Sequence, residues 1–170
     1  MKFECVTSMN SKYYNQIGYK MLGSWLERWP QEVNLRVYHE DSIMNGKAVN
    51  LSFHDLYKEE PECKAFVERH KDRPDQQNAL ELYKGAVRFS YKTFSILNAG
   101  ITSDADYLIW IDADTFTHTN VTLNFLNEIV EEDKYLTYLG RENNYSECGF
   151  VVYNLNHPAH NAFFETWRHL

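Results

Sequence analysis

Residues 103–115 read SDADYLIWIDADT. Five apolar or aromatic residues, 107–111, run without polar alternation between two copies of Asp-Ala-Asp. A short, wholly apolar run bounded by polar turn residues reads as a strand buried on both faces, the form taken in a parallel sheet covered by helices. At about 3.3 Å per residue, Asp106 and Asp112 stand roughly 20 Å apart, so one ion cannot use both acidic pairs. In open α/β sheets, ligands gather outside the carboxyl ends of the strands. Asp112 and Asp114 stand at that end. Asp104 and Asp106 stand at the opposite edge, where solvated loop charge is expected.

Working outward, residues 2–7 read as a strand and 13–29 as a helix. Ile17, Met21, Leu22, Trp25 and Leu26 recur in it at helical spacing, and Pro30 stops it. A second strand over 33–38 ends in the acidic His39-Glu40-Asp41 and closes a β-α-β unit, whose crossover implies a parallel pair. Residues 42–78 are the least regular part, with a helix over 61–70 opened by Pro61 and a loop at 71–78. A long helix is expected over 80–97, with Gly100 as its C-cap. After the 107–111 strand come a helix over 121–131, a strand over 135–139, a loop, a strand over 149–155 and a helix from Pro158. This alternation indicates an α/β sheet with helices on both faces. The last helix is still amphipathic at Leu170, so the chain is expected to be either minimal or cut short.

Composition narrows the function classes. A net charge of −7 argues against a nonspecific grip on nucleic acid or on an anionic membrane. No apolar run approaches the ~18 residues of a membrane span, and the first ten residues lack the apolar core of a signal peptide. Cys5, Cys63 and Cys148 are odd in number and without CxxC spacing, which fits reduced thiols in a cytoplasmic protein.

The second acidic pair has a specific chemistry. Two carboxylates one residue apart at a strand end can hold Mg²⁺ or Mn²⁺ and leave coordination positions for phosphate oxygens. Such a metal stabilises a diphosphate as a leaving group. The competing reading is a turn or helix cap built from Asp114 and Thr115.

YLIWIDADTFTH (107–118) resembles the donor-binding segment of GT-A glycosyltransferases, in which an apolar strand ends in a D-x-D metal motif. YSECGFVVYNLNHP (145–158) resembles a later segment of the family 8-like members, with Gly149, the apolar run 150–153 and Asn154-Leu155 matching it. Glu147 departs from the pattern, since an amide is usual there. The resemblance implies a single domain of this Rossmann-like nucleotide-diphospho-sugar transferase fold, with a mostly parallel central sheet. Residues 1 to about 115 would form its nucleotide-sugar part and 116–170 the start of its acceptor side. It further implies transfer of a sugar from a nucleotide-diphosphate donor, UDP-linked by preference, to a carbohydrate or other hydroxyl acceptor.

Site residues follow from the same resemblance. Asp112 and Asp114 would hold Mn²⁺ or Mg²⁺, with Ala113 and Gly149 beside the donor. Thr7, Ser8 and Asn10 occupy the loop where this fold seats base and ribose, and Glu40 and Asp41 could accept hydrogen bonds from either. Lys84, Arg88 and Lys92 fall four apart on the long helix, and the resemblance carries donor contact onto Arg88 and Lys92. Plain surface ion pairing is the alternative for that stripe, and turn chemistry for the loop residues. Glu147 reads as a general base, a ligand of donor-sugar hydroxyls, or loop charge. The metal in these enzymes often takes a late histidine; His157, His160 and His169 are available, while His118 falls beyond the motif.

Two other classes compete. One is a non-catalytic nucleotide-sugar-binding or scaffold domain. The other is a haloacid-dehalogenase-like phosphatase, which wants Thr or Val where this chain has Phe116 and places its motif on the first strand.

Overall fold

The structure is a computed structural model that describes residues 1–41, 48–72 and 85–169. Six strands, β1 (Phe3–Ser8), β2 (Asn34–His39), β3 (Leu51–Asp55), β4 (Tyr107–Ile111), β5 (Leu136–Leu139) and β6 (Glu147–Asn154), form one sheet in the order β3-β2-β1-β4-β6-β5. The pairs β1·β2, β2·β3 and β1·β4 are parallel, and β6 runs antiparallel to both β4 and β5. Five strands therefore share a direction and β6 alone opposes it. That reversal decides where the chemistry lies, because the start of β6 arrives at the carboxyl end of β4, with Ile111 opposite Phe150.

Helices cover both faces, as the unbroken apolar character of β4 requires. Tyr107, Ile109 and Ile111 point to the side of α2 (Tyr19–Arg28), packing with Met21, Leu22 and Trp25 and with Leu126 of α6 (Leu123–Glu128). Leu108 and Trp110 point to the other side, among Leu56 of α3 (Leu56–Glu59), Cys63 and Val67 of α4 (Pro61–His70), Ile96 and Leu97 of α5 (Ala86–Thr102) and Phe164 of α7 (His160–Arg168). Each fully buried aliphatic side chain contributes about 1.5–3 kcal/mol, so this two-sided core dominates stability. Ahead of α2, α1 (Ser11–Tyr13) passes into a single π-helical stretch, Tyr14–Gly18. The helix then stops at Trp29, whose backbone is extended before Pro30, as proline sterics dictate.

Two expectations are corrected. β3 emerges from the stretch read as irregular. Its five residues are only half-buried at the sheet edge, so Leu-Ser-Phe-His-Asp never needed an apolar run. Gly100 is not a C-cap: α5 continues to Thr102, and Gly100 is buried inside it. A Cβ there would lie 2.2 Å from the Phe164 ring, so the glycine makes room for α7 to cross α5. The expected start of α5, including Lys84, lies outside the described residues.

A buried polar chain ties these elements together. Tyr38 Oη donates to Asn98 Oδ1 (2.5 Å), Asn98 Nδ2 donates to Glu60 Oε1 (3.1 Å), and Arg168 donates to Glu60 and Glu62 (3.0–3.1 Å). Among the described residues, no helix is long and apolar enough to cross a membrane.

Candidate active site

Asp112, Ala113 and Asp114 follow β4 directly. Thr115 N–H donates to Asp112 C=O (3.0 Å), so the expected turn and the acidic pair are one structure rather than alternatives. Ala113 turns into the core, while Asp112 is half-buried and Asp114 exposed. Asp112 Oδ1 accepts from Trp110 Nε1 (2.5 Å) and from Lys92 Nζ (3.1 Å). The Lys92 ammonium also donates to Cys148 C=O (2.5 Å) and lies 4.8 Å from the Trp110 ring centroid. One lysine thus joins α5 to the ends of two neighbouring strands. Asp114 Oδ2 accepts from Tyr13 Oη (3.1 Å). Burial and Asp114 hold the Tyr13 phenol above its ordinary range, with the Arg88 charge acting in the opposite sense.

On β6, Glu147 Oε1 accepts from Gly149 N–H (2.9 Å), and its carboxylate pairs with the Arg141 guanidinium. Asp112 N–H donates to Gly149 C=O (2.8 Å). A Cβ on Gly149 would stand 3.1 Å from both Asp112 Oδ2 and Glu147 Oε1. The bare Cα therefore keeps a small space open between two carboxylates that are no more than twice that distance apart.

At the ends of β1 and β2, Asn10 caps α1, its Oδ1 accepting from Tyr13 N–H (2.8 Å). Asp41 Oδ2 accepts from both the backbone N–H (2.8 Å) and the hydroxyl of Ser11, so part of its capacity goes to pinning β2 to α1. At these strand ends Thr7 Oγ1, Glu40 Oε2 and Asp41 Oδ1 are buried with no hydrogen-bond partner among the described residues. Ser8 is half-buried beside them. Burial, aided by Asp41 and opposed by Asn10, raises Glu40 to about 7.

Most of the expected residues thus gather along one sheet edge: Thr7, Ser8, Asn10, Glu40 and Asp41 toward one end, Lys92, Asp112, Asp114, Glu147 and Gly149 toward the other. Arg88 is exposed one turn before Lys92. The late histidines do not join them. His160 and His169 line a cavity of about 480 Å³ at the opposite edge, with Gly100, Asp104 and Asp106, and the His157 ring lies tilted against Tyr135 at 5.6 Å between centroids. The strand before them, β6, runs back across the sheet, which carries the residues after Asn154 away from Asp112. Among the described residues, no group of three or more His, Cys, Asp or Glu is arranged to hold a metal. At that far edge Asp104 pairs with Lys2 Nζ (2.5 Å), and Asp106 accepts from Lys2 N–H (2.7 Å) and Asn156 Nδ2 (2.8 Å). Asp104 is exposed loop charge, as expected, while Asp106 holds the start of β1 through Lys2.

Sequence reasoning passed over Tyr13, Trp110 and Arg141. Trp110 was findable, since a residue two before Asp112 on a strand faces the same side. Tyr13 carries no local signal, because its partner Asp114 lies 101 residues away, and Arg141 meets Glu147 only because the loop between them folds back.

The architecture is that of the GT-A glycosyltransferases: a mixed α/β domain around a mostly parallel six-stranded sheet. Three solved structures illustrate the likeness, each aligned over 98% of this chain. They are the bifunctional glycosyltransferase WbbM in its apo form (TM-score 0.58, 16% identity, 34% of that chain) and mouse xyloside xylosyltransferase 1 in its apo form (0.57, 13%, 73%). The third is the galactosyltransferase LgtC in complex with donor and acceptor sugar analogs (0.51, 14%, 65%). The chain thus spans about a third of WbbM and some two thirds of LgtC. No family model and no curated protein matches the sequence. At these identities the likeness establishes the fold.

Proposed function

We propose that this chain carries the donor-binding centre of a metal-dependent glycosyltransferase that moves a sugar from a nucleotide-diphosphate donor, with UDP the preferred carrier, to an acceptor hydroxyl. The observation that carries the reading is the meeting of Asp112, Asp114, Lys92 and Glu147 at the carboxyl end of β4, where the reversed β6 brings in Gly149 with no side chain.

The residues present fit a divalent cation. Asp112 and Asp114 are hard oxygen ligands that would hold Mn²⁺ or Mg²⁺, and the space beside Gly149 leaves Asp112 Oδ2 uncovered by a Cβ. Two protein carboxylates leave the remaining positions to diphosphate oxygens and water. When bound, the metal would neutralise charge on the departing diphosphate. Lys92 and Arg88 supply fixed positive charge on the same side, which favours a diphosphate over a neutral ligand. The unpartnered oxygens of Thr7, Glu40 and Asp41 suit the hydroxyls and ring N–H groups of a nucleoside.

Glu147 is already engaged by Gly149 N–H and Arg141, which favours holding donor-sugar hydroxyls on its remaining lone pairs over removing a proton. A base role requires Arg141 to let go first.

A thermal-shift screen of nucleotide sugars with and without Mn²⁺ tests the proposal. The wild type should be stabilised by a uridine-diphosphate sugar in Mn²⁺, by about 3 kcal/mol at a hundredfold excess over Kd. Asp112→Asn and Asp114→Asn should lose that shift. No stabilisation by any nucleotide in Mn²⁺ removes the proposal. Stabilisation without transfer to any acceptor favours a binding domain instead.

A further inference from the structure

Both carboxylates of the 112–114 turn are held from behind, each through one oxygen. Asp112 Oδ1 takes the Trp110 indole N–H at 2.5 Å and the Lys92 ammonium at 3.1 Å. Asp114 Oδ2 takes the Tyr13 hydroxyl at 3.1 Å. No hydrogen bond from a described residue to Asp112 Oδ2 is recorded, and that oxygen faces the space that Gly149 keeps open.

The three donors come from different parts of the fold, and each is itself fixed. Trp110 is 2% exposed in the core on β4, so its ring cannot swing away from Asp112. Tyr13 closes α1, where Asn10 caps its backbone N–H, and the π-helical stretch begins at the next residue. Such a widened turn is rare and often found at functional sites. Its wide coil is also close-packed: a Cβ on Gly18 would lie 2.6 Å from Met9 Sδ, so the helix start is wedged against the loop that follows β1. Tyr13 therefore reaches across from the loop holding Ser8 and Asn10 to the acidic turn after β4.

On Asp114 the donor is the neutral Tyr13 hydroxyl, and on Asp112 the Trp110 indole shares its oxygen with the Lys92 ammonium; a carboxylate engaged in this way loses rotational freedom. Its second oxygen is then presented in one direction, which is how outer partners commonly raise metal affinity. We infer that Tyr13 and Trp110 are positioning residues that orient Asp114 and Asp112 for monodentate capture of a divalent cation through their second oxygens. The inference rests on the metal-binding reading above.

Mn²⁺ alone is the probe. Free Mn²⁺ is followed by electron paramagnetic resonance during titration of the whole chain, and the visible spectrum is recorded with Co²⁺ in its place. Tyr13→Phe removes one hydroxyl from a half-buried ring and should weaken Mn²⁺ binding about tenfold while changing the Co²⁺ absorption bands. Trp110→Phe should do the same; if its core does not tolerate the smaller ring, Tyr13→Phe carries the test. Tyr19→Phe, on an exposed ring of the same helical segment, should leave both readouts unchanged. Wild-type binding with less than about a threefold loss in Tyr13→Phe overturns the positioning role and leaves the metal reading standing. Absence of Mn²⁺ binding by the wild type overturns both.

Discussion

Glu40 stands just after β2 with one carboxylate oxygen buried and unpartnered among the described residues, and burial raises it from the ordinary glutamate value to about 7. A carboxyl group whose folded value lies above its unfolded value adds stability that is complete below about 4.5 and lost as pH rises through about 7. Glu40→Gln keeps the shape and removes the titration. Melting temperatures of the two forms should lie close together near pH 4.5, with the variant gaining on the wild type up to about pH 7 and the gap levelling off above it. A constant gap across that range contradicts the burial argument. Residue-scale chemistry was partly legible in the sequence. Asp112 and Asp114 were readable because their position relative to an apolar strand fixes where they lie. The engagement of Asp41 with Ser11 and the Tyr13 hydroxyl on Asp114 were not, because each joins residues that only the folded topology brings together.

At the scale of elements, apolar patterning found β1, β2, β4 and β6 within two residues of their bounds, Pro61 marked α4, and helical spacing over 13–29 covered the π-helical stretch and α2 as one helix. It failed where burial is one-sided or where a glycine has a packing role. β3 pairs in parallel with β2 through Leu35↔Leu51 to His39↔Asp55, yet its residues stay half-exposed, so no hydrophobic run announces it. Gly100 looked like a terminator because glycine usually ends a helix, but here it is a contact surface for Phe164. Gly100→Ala would favour the helix locally and still force α7 away from α5. Overpacking of this kind costs about 1–3 kcal/mol, measurable as a lower urea midpoint. A midpoint equal to or above the wild type would show that Phe164 can move aside freely.

For the whole molecule, the decisive feature is one reversed strand. Because β6 runs against β4, Glu147 and Gly149 arrive beside Asp112 instead of at the far edge with Asp106 and Asn156. Strand direction has no single-residue signature, so a place just before a strand puts Glu147 beside the acidic pair only because that strand is reversed. The same reversal carries the late histidines to the opposite edge. The two copies of Asp-Ala-Asp end with separate duties: Asp106 anchors the chain terminus, while Asp112 and Asp114 share an edge with Lys92 and the buried oxygens of Thr7 and Glu40. The most direct test is an anomalous-scattering map from crystals grown with Mn²⁺ and UDP. The account predicts a single strong peak within coordination distance of Asp112 Oδ2 and of Asp114. A peak beside Asp104 and Asp106, or none at the end of β4, would contradict it.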